Sequence, residues 1–410
     1  MADFSLTNVS NLFKIKYAKV SENTYNSYNV TLGRIQKSYD FVGRQMFKPI
    51  PQSFAGGVGS GTLPTPNYEA VEDAILTAKK VYATASIDRE TIKASANDEG
   101  SFVRATKHVT QKTVESYMRN CSRIVFNGYD ATTNTGSIAA GDGSTNVSGA
   151  GTSGNPYLVT LVSTTKESDI EEKDYWNYNA ETTLLEVSAY NPTTKVVSLV
   201  GTSAGLAALS GAGPMLTTVF FYMQGSRGND PIGLKAILRA TTGSLYTIPV
   251  TRRWQAGALH NASGAGITTD MMNADMLEIE RKSGKVPNLI VTSFTQYRKI
   301  LNLLEDAKQF NLPARSSDLK GLVSFKGLEF MSSAGSVGIF PERFVDDDSI
   351  YYLNDNFLEI CHRPDFGFFD DDGTVFLRSS TADSYECRYG GYWEMYCAPI
   401  FHGTRHGLAT

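Results

Sequence analysis

A chain of 410 residues, 41% hydrophobic and 20% charged, is too long for one simple core and predicts a soluble protein of two or three modules. The formal net charge of −4 argues against a dedicated nucleic-acid binder, and no apolar run of about 18 residues or charged-then-apolar leader marks a membrane span or the usual secretion route. Generous glycine (36), tyrosine (21) and phenylalanine (21) favour turn-rich sheet, and four cysteines without paired spacing (Cys121, Cys361, Cys387, Cys397) read as reduced thiols from a cytosolic folding compartment.

Residues 1–48 are polar and aromatic, with apolar side chains too scattered to bury a core of their own. Seven basic residues (Lys14, Lys16, Lys19, Arg34, Lys37, Arg44, Lys48) stand against three acidic ones (Asp3, Glu22, Asp40). Such an excess is usually a solvated face; the alternative is an arm lying on an acidic partner, a neighbouring subunit or a polyanion. Residues 49–93 read as a long hairpin. Its glycines and prolines from Pro49 to Pro66 predict a loop that is neither helix nor central strand. Val81, Ala83, Ala85 and Ile87 alternate with polar or exposed positions as a strand. Two strands alone are marginal, so this hairpin is expected to lie on its own domain or on a neighbouring copy.

Residues 94–130 hold the most legible element. Phe102, Ala105, Val109, Val114, Tyr117, Cys121 and Ile124 trace one helical face, and Arg104, Lys107, Lys112, Glu115, Arg119 and Arg123 mostly mark the other. Asn97 or Asp98 can cap the start and Gly128 can stop the helix in a left-handed conformation. About 28 residues at 1.5 Å each would make a spine about 42 Å long.

Residues 131–228 begin with a Gly/Ser/Thr/Asn-rich linker and continue as short alternating strands around Tyr157, Leu185, Val196 and Val219. From about residue 150 to 225 they predict a small antiparallel module inserted into a host domain. Residues 229–326 alternate helix and strand. Thr269 or Asp270 opens a helix with Met272, Met276 and Ile279 inward and Gly284 at its end. Pro287–Val291 reads as a buried strand, and Ser293 caps a helix with Tyr297, Ile300, Leu301 and Leu304 inside. Residues 327–410 are rich in strands and end in a loop-like tail.

The best enzymatic lure is Gly201-Thr202-Ser203-Ala204-Gly205, a G-x-S-x-G in which Ser203 would be a hydrolase nucleophile, with Asp270, Asp365, His402 or His406 as nominal partners. The strands before it look antiparallel, whereas that elbow needs parallel crossovers. Gly149–Gly154 matches G-x-G-x-x-G only by letters, because it lies in linker ahead of Pro156. Cys387, Cys397, His402 and His406 do not have zinc-knuckle spacing, and packed thiols are the better reading. Asp346–Asp348 and Asp370–Asp372 lack the spaced ligands of a calcium loop; Asp370–Gly373 reads as a hairpin turn. His108 and His260 read as structural or solvated. No catalytic, cofactor-binding or metal-ligating residue is assigned, and no cofactor is expected.

The order of these parts resembles the major capsid protein of tailed double-stranded DNA bacteriophages, whose shell fold is shared with encapsulins and the herpesvirus capsid floor. Pro64–Ala105 is similar to the extended hairpin loop running into the spine helix. Gly228–Leu238 with Gly243–Ile248 is similar to the re-entry of the chain after an insertion, and Lys285–Asp306 to the strand-and-helix unit of the axial domain. Phe325–Ser333 and then Asp346–Gly373 resemble the closing strands of the peripheral domain, and Tyr385–Leu408 the terminal strands. The resemblance implies an α+β fold: N-arm, extended hairpin, spine helix with a peripheral β-sheet domain, and axial α/β domain, here with an inserted antiparallel β domain. It implies no enzyme. It implies self-assembly as pentamers and hexamers into an icosahedral shell, with a scaffolding protein, a portal and a decoration protein as partners. Packaged double-stranded DNA would be held non-specifically, without a membrane, in the virion capsid after assembly in the host bacterial cytoplasm. The alternatives are a serine hydrolase acting through Ser203, or a β-rich decorating or surface-binding protein whose residues 150–225 would fold alone and bind a sugar or surface.

Overall fold

The computed structural model describes residues 30–53, 58–59, 61, 70–94, 105–128, 137–142, 147–162, 170–210, 219–251, 253–306, 328–333, 335–363, 367–369, 375–379 and 382–410. They divide into two units, one from Tyr82–Arg119 and Gly367–Gly390, the other from Asn29–Val81, Asn120–Phe366 and Gly391–Thr410. Residues 1–29 of the N-arm, most of the hairpin tip and the helix start at Asn97 or Asp98 lie outside the described residues.

In the first unit the alternation at 81–88 is realised as a strand, Lys79–Asp88, in which Ile87 is buried, Ala83 and Ala85 half-buried, and Tyr82, Thr84, Ser86 and Asp88 exposed. It pairs with the long strand Ser384–Cys397 rather than forming the return leg of the hairpin. Gly367–Phe368 runs antiparallel to Tyr389–Gly390, and Phe376–Arg378 to Tyr385–Cys387. The two short strands flanking the acidic Asp370–Gly373 stretch therefore each pair with the long strand, not with each other as a hairpin would require. Residues 370–373 themselves lie outside the described residues. On the helix, Tyr117 meets Tyr389 edge to face at 5.1 Å and Thr113 reaches Cys387 at 3.9 Å.

The helix covers Ala105–Asn127, 23 residues. Its last two turns depart from a one-faced pattern: every residue from Cys121 to Phe126 is buried, Ser122 and Arg123 included. Arg123 is not on a solvated face. It donates to Asp230 Oδ2 at 3.0 Å and to Asn120 Oδ1 at 3.1 Å, which compensates a charge that could not otherwise be buried. Gly128 does stop the helix, yet its φ is not positive. A Cβ there would lie 2.1 Å from the carbonyl oxygen of Pro231, so glycine serves close backbone approach rather than a left-handed turn.

Within the second unit the N-terminal segment is better buried than its composition suggests. From Val30 onward Leu32, Ile35 and Phe41 are buried, and Gln36–Ser38 pairs in parallel with Glu359–Cys361. The Thr31 amide donates to Glu342 Oε1 at 2.8 Å. Lys48 pairs with Glu359 and lies over the Tyr396 ring, 4.3 Å from its centroid.

The inserted module is a closed barrel. Its strands are Ala139–Gly141, Tyr157–Thr160, Tyr175–Tyr178, Leu185–Asn191, Val196–Gly201 and Val219–Met223, every pairing antiparallel. The ends of the six-stranded order join where Asp142 N donates to Thr160 O at 2.8 Å and Val162 N to Ala140 O at 2.9 Å. Closure removes the sheet edges and creates a private core of Val159, Leu161, Trp176, Leu185, Val187, Val197, Leu199 and Phe221. The module therefore buries a core of its own. It also begins near Ile138, and the Tyr175–Tyr178 strand carries no clean alternation, since Trp176, Asn177 and Tyr178 are all buried.

A third sheet runs in the order Ala258–Asn261, Gly403–His406, Ile350–Leu353, Leu289–Thr292, Gly335–Pro341, Leu328–Ser332. Leu328–Ser332 pairs antiparallel with Gly335–Pro341, which runs parallel to Leu289–Thr292, and Ile350–Leu353 pairs antiparallel with Leu289–Thr292 on its other side. Tertiary hydrogen bonding decides that membership, which strand sequence alone cannot. The helix Thr269–Ser283 is capped by Thr268 Oγ1, accepting from Met271 N at 3.2 Å, and ends at left-handed Gly284 (φ 70°). Met272, Met276 and Ile279 pack into this core, as their spacing predicts. Ser293 Oγ caps the next helix, Phe294–Asp306, accepting from Gln296 N at 3.2 Å.

Candidate functional site

The feature most suited to function is a surface, the ribbon formed by Gln45–Ser53 and Ala70–Thr77. Its antiparallel register sets Phe47 opposite Ile75, Pro49 opposite Asp73 and Pro51 opposite Val71. Directly opposed residues share a face, so these six side chains lie together. On the other face Ala74 and Leu76 are fully buried. Phe47 and Val71 remain 55% and 51% exposed, leaving an apolar strip that its own unit does not cover. Pro49 and Pro51 were expected in a loop but are strand residues. A two-stranded ribbon has only edges, and prolines two apart can both turn their missing N–H away from the partner strand. The outer edge of Ala70–Thr77 is held by Ile75 N donating to Tyr246 O at 2.9 Å.

The G-x-S-x-G segment is barrel architecture. Ser203 is 1% exposed and caps the six-residue helix Ala204–Leu209, accepting from Leu206 N at 3.2 Å and donating to Glu181 Oε2 at 2.6 Å. Gly205 N donates to Glu181 Oε1 at 2.7 Å, and a Cβ on Gly205 would strike the Tyr178 ring at 2.2 Å. Gly201 has a φ of 149°, and a Cβ there would lie 2.3 Å from Leu184 O. Each conspicuous residue of the motif thus has a packing reason. His402 is fully buried, its Nδ1 accepting from Asn354 N at 3.1 Å and its Nε2 3.4 Å from Phe357 O. Burial holds its pKa down to about 4, so it stays neutral. Asp270 is exposed at the first turn of its helix, and Asp365 lies outside the described residues.

The remaining candidates are likewise tied into structure. Asp346 pairs with Lys235 at 2.7 Å and Arg239 at 3.5 Å, and Asp348 accepts from Ser349 Oγ and Gly407 N. Cys121, Cys361, Cys387 and Cys397 are all buried free thiols. Burial pushes Cys361 up to about 12, far from a reactive thiolate. His260 is not solitary: its Nε2 lies 2.6 Å from Glu278 Oε2 and 3.6 Å from Asp275 Oδ1. Asp275 is fully buried and accepts two bonds from Arg405, at 2.7 and 2.6 Å. Among the described residues no group of three or more His, Cys, Asp or Glu is placed to hold a metal ion, and no helix is long and apolar enough to cross a membrane.

No family model and no curated protein sequence matches the chain. Solved structures do. A chain of the cyanophage A-1(L) capsid asymmetric unit superposes with a TM-score of 0.61 at 10% identity, covering 99% of this chain and 100% of that one. A chain from the capsid of a native GTA particle gives 0.53 at 8% identity, over 99% of both. The chain shares the fold of these capsid subunits. It is α+β, with an antiparallel barrel inserted in sequence between the Ala105–Asn127 helix and the third sheet.

Proposed function

We propose that the chain is a structural major capsid protein that self-assembles into an icosahedral shell around a phage double-stranded DNA genome. The observation that carries this is the whole-length coincidence of its fold with capsid-shell subunits. The exposed Phe47–Val71 strip supports it, because a surface of this kind is satisfied by burial against a second copy. Repetition through pentamers and hexamers then sums many weak contacts into a strong wall. A scaffolding protein, a portal and a decoration protein are the partners this role calls for, with the virion capsid as its destination and the host bacterial cytoplasm as the place of assembly. The role is mechanical, and the buried, capping Ser203 gives the hydrolase alternative no support.

Negative-stain electron microscopy of the purified chain, with light scattering alongside, tests the reading. Hollow regular particles, or rings of five and six, are the expected result. A monodisperse monomer that persists at high concentration and in the presence of a cognate scaffold would overturn it.

A further inference from the structure

A cleft of about 450 Å³ opens in the second unit between three segments, lined by Arg253, Arg281, Lys282 and Ile400. Its construction is specific. Arg253 precedes Trp254, which is 2% exposed and anchored by Nε1 donating to Leu245 O at 3.1 Å. Gly257 then brings this loop against both other walls. Its amide donates to His402 O at 2.8 Å, and a Cβ there would lie 2.5 Å from Ile400 O and 3.2 Å from Ile279 Cγ1. The missing side chain lets the loop, the Pro399–Phe401 turn and the last turns of the Thr269–Ser283 helix converge.

Basic residues in the last turn of a helix commonly offset its negative end, and that suffices for Arg281 and Lys282. It does not account for Arg253, which arrives from a different segment. Nor are all these charges compensated. Lys282 pairs with Glu278 at 2.7 Å, but among the described residues Arg253 and Arg281 have no acidic partner, and no carboxylate lines the cleft. Two guanidinium forks, each with parallel donors suited to a phosphate edge, share a recess large enough for more than one phosphate group.

We infer that this cleft, built by Arg253 and Arg281 around the Gly257 crossing, binds phosphate groups. They come from the backbone of duplex DNA or from a free polyphosphate. DNA as the source rests on the shell reading above; the phosphate chemistry does not. The geometry carries no base-edge readout, so binding is independent of sequence.

The test uses the full chain and a variant carrying Arg253→Ser and Arg281→Ser together. Anisotropy of a short labelled duplex is followed across a salt series, and calorimetry is run with sodium tripolyphosphate. With two contacts removed, duplex affinity should fall about tenfold at low salt, and the slope of log K against log salt should become shallower by about 1.8. Loss of both duplex and tripolyphosphate binding assigns the site to DNA backbone and free phosphate alike. Loss of tripolyphosphate binding alone assigns it to free polyphosphate. A double Arg→Lys variant should keep the slope while losing part of the affinity, which separates fork geometry from bare charge. Unchanged binding of both ligands overturns the inference. Micrographs of the same preparations separate the two readings. Particles with unaltered phosphate binding count against the cleft alone, and phosphate binding lost without particles ever forming counts against the shell alone.

Discussion

Gly128 and Gly233 meet backbone to backbone at the end of the spine helix. A Cβ on Gly233 would lie 2.3 Å from Gly128 N and 2.8 Å from Ile124 O, and one on Gly128 would lie 2.6 Å from Gly233 N. The chain leaving the barrel is thereby seated against the helix terminus, where Asp230 also takes the buried Arg123. Gly233→Ala should cost at least about 2 kcal/mol, because the atoms it meets are backbone and cannot swing aside. Gly33→Ala is the contrast: the residue is helical, has open space around it and no positive φ, and should gain about 0.5–1 kcal/mol. Paired urea titrations measure both, and equal effects would contradict the packing account.

Asp275 and Arg405 form a buried two-bond pair, so removing one charge strands the other. Asp275→Asn should destabilise the fold by about 3 kcal/mol or more. A loss below that of an ordinary surface substitution, read from thermal unfolding, would show the pair to be dispensable.

Glu394 is a buried carboxyl whose Oε1 accepts from Ile232 N at 2.9 Å and Met395 N at 3.1 Å. Burial dominates and pushes its pKa up to about 8, although both amides and nearby Lys79 favour the ionised form. A raised carboxyl binds its proton more tightly folded than unfolded. Its contribution is therefore complete below the unfolded value of 4.5 and is lost as pH climbs to about 8, levelling off above. Relative to Glu394→Gln, which keeps an acceptor and cannot ionise, the wild type should lose on the order of a few kcal/mol across that window. Parallel stability profiles from pH 4.5 to 8 would rule this out.

Ser203→Ala removes a helix cap and a donor to Glu181, and should lower barrel stability by about 1 kcal/mol. Ester hydrolysis by the full chain should be unaffected. A selective loss of such activity would restore the nucleophile reading.

Phe47→Ser with Val71→Ser should leave the monomer folded, since both side chains are about half exposed, yet reduce particle yield severalfold by removing the apolar strip. Circular dichroism controls for folding while micrographs count particles. Normal yield would place the subunit contact elsewhere.

Periodicity recovered what depends on local spacing. The helix at Thr269–Ser283 with its left-handed Gly284, the Ser293 cap and the Val81–Ile87 alternation all follow from side chains a turn or a pleat apart. Strand partners were not legible. Asp370–Gly373 looks like a hairpin turn by composition, but its flanking strands choose the long Ser384–Cys397 strand, a preference no short window contains. The Tyr175–Tyr178 strand carries no alternation to read, since Trp176, Asn177 and Tyr178 are all buried.

The candidate site divides the same way. Composition and spacing alone determined a long helix, a helix and strand alternation after residue 229 and an inserted β module. Only the tertiary structure decided that the module closes into a barrel, that Ser203 is a cap, that Gly128 and Gly233 are contact glycines and that Arg253 and Arg281 line one cleft. Each of these joins residues far apart in the chain, and such meetings are set by packing and hydrogen-bond satisfaction over the whole fold rather than by the propensity of any one segment.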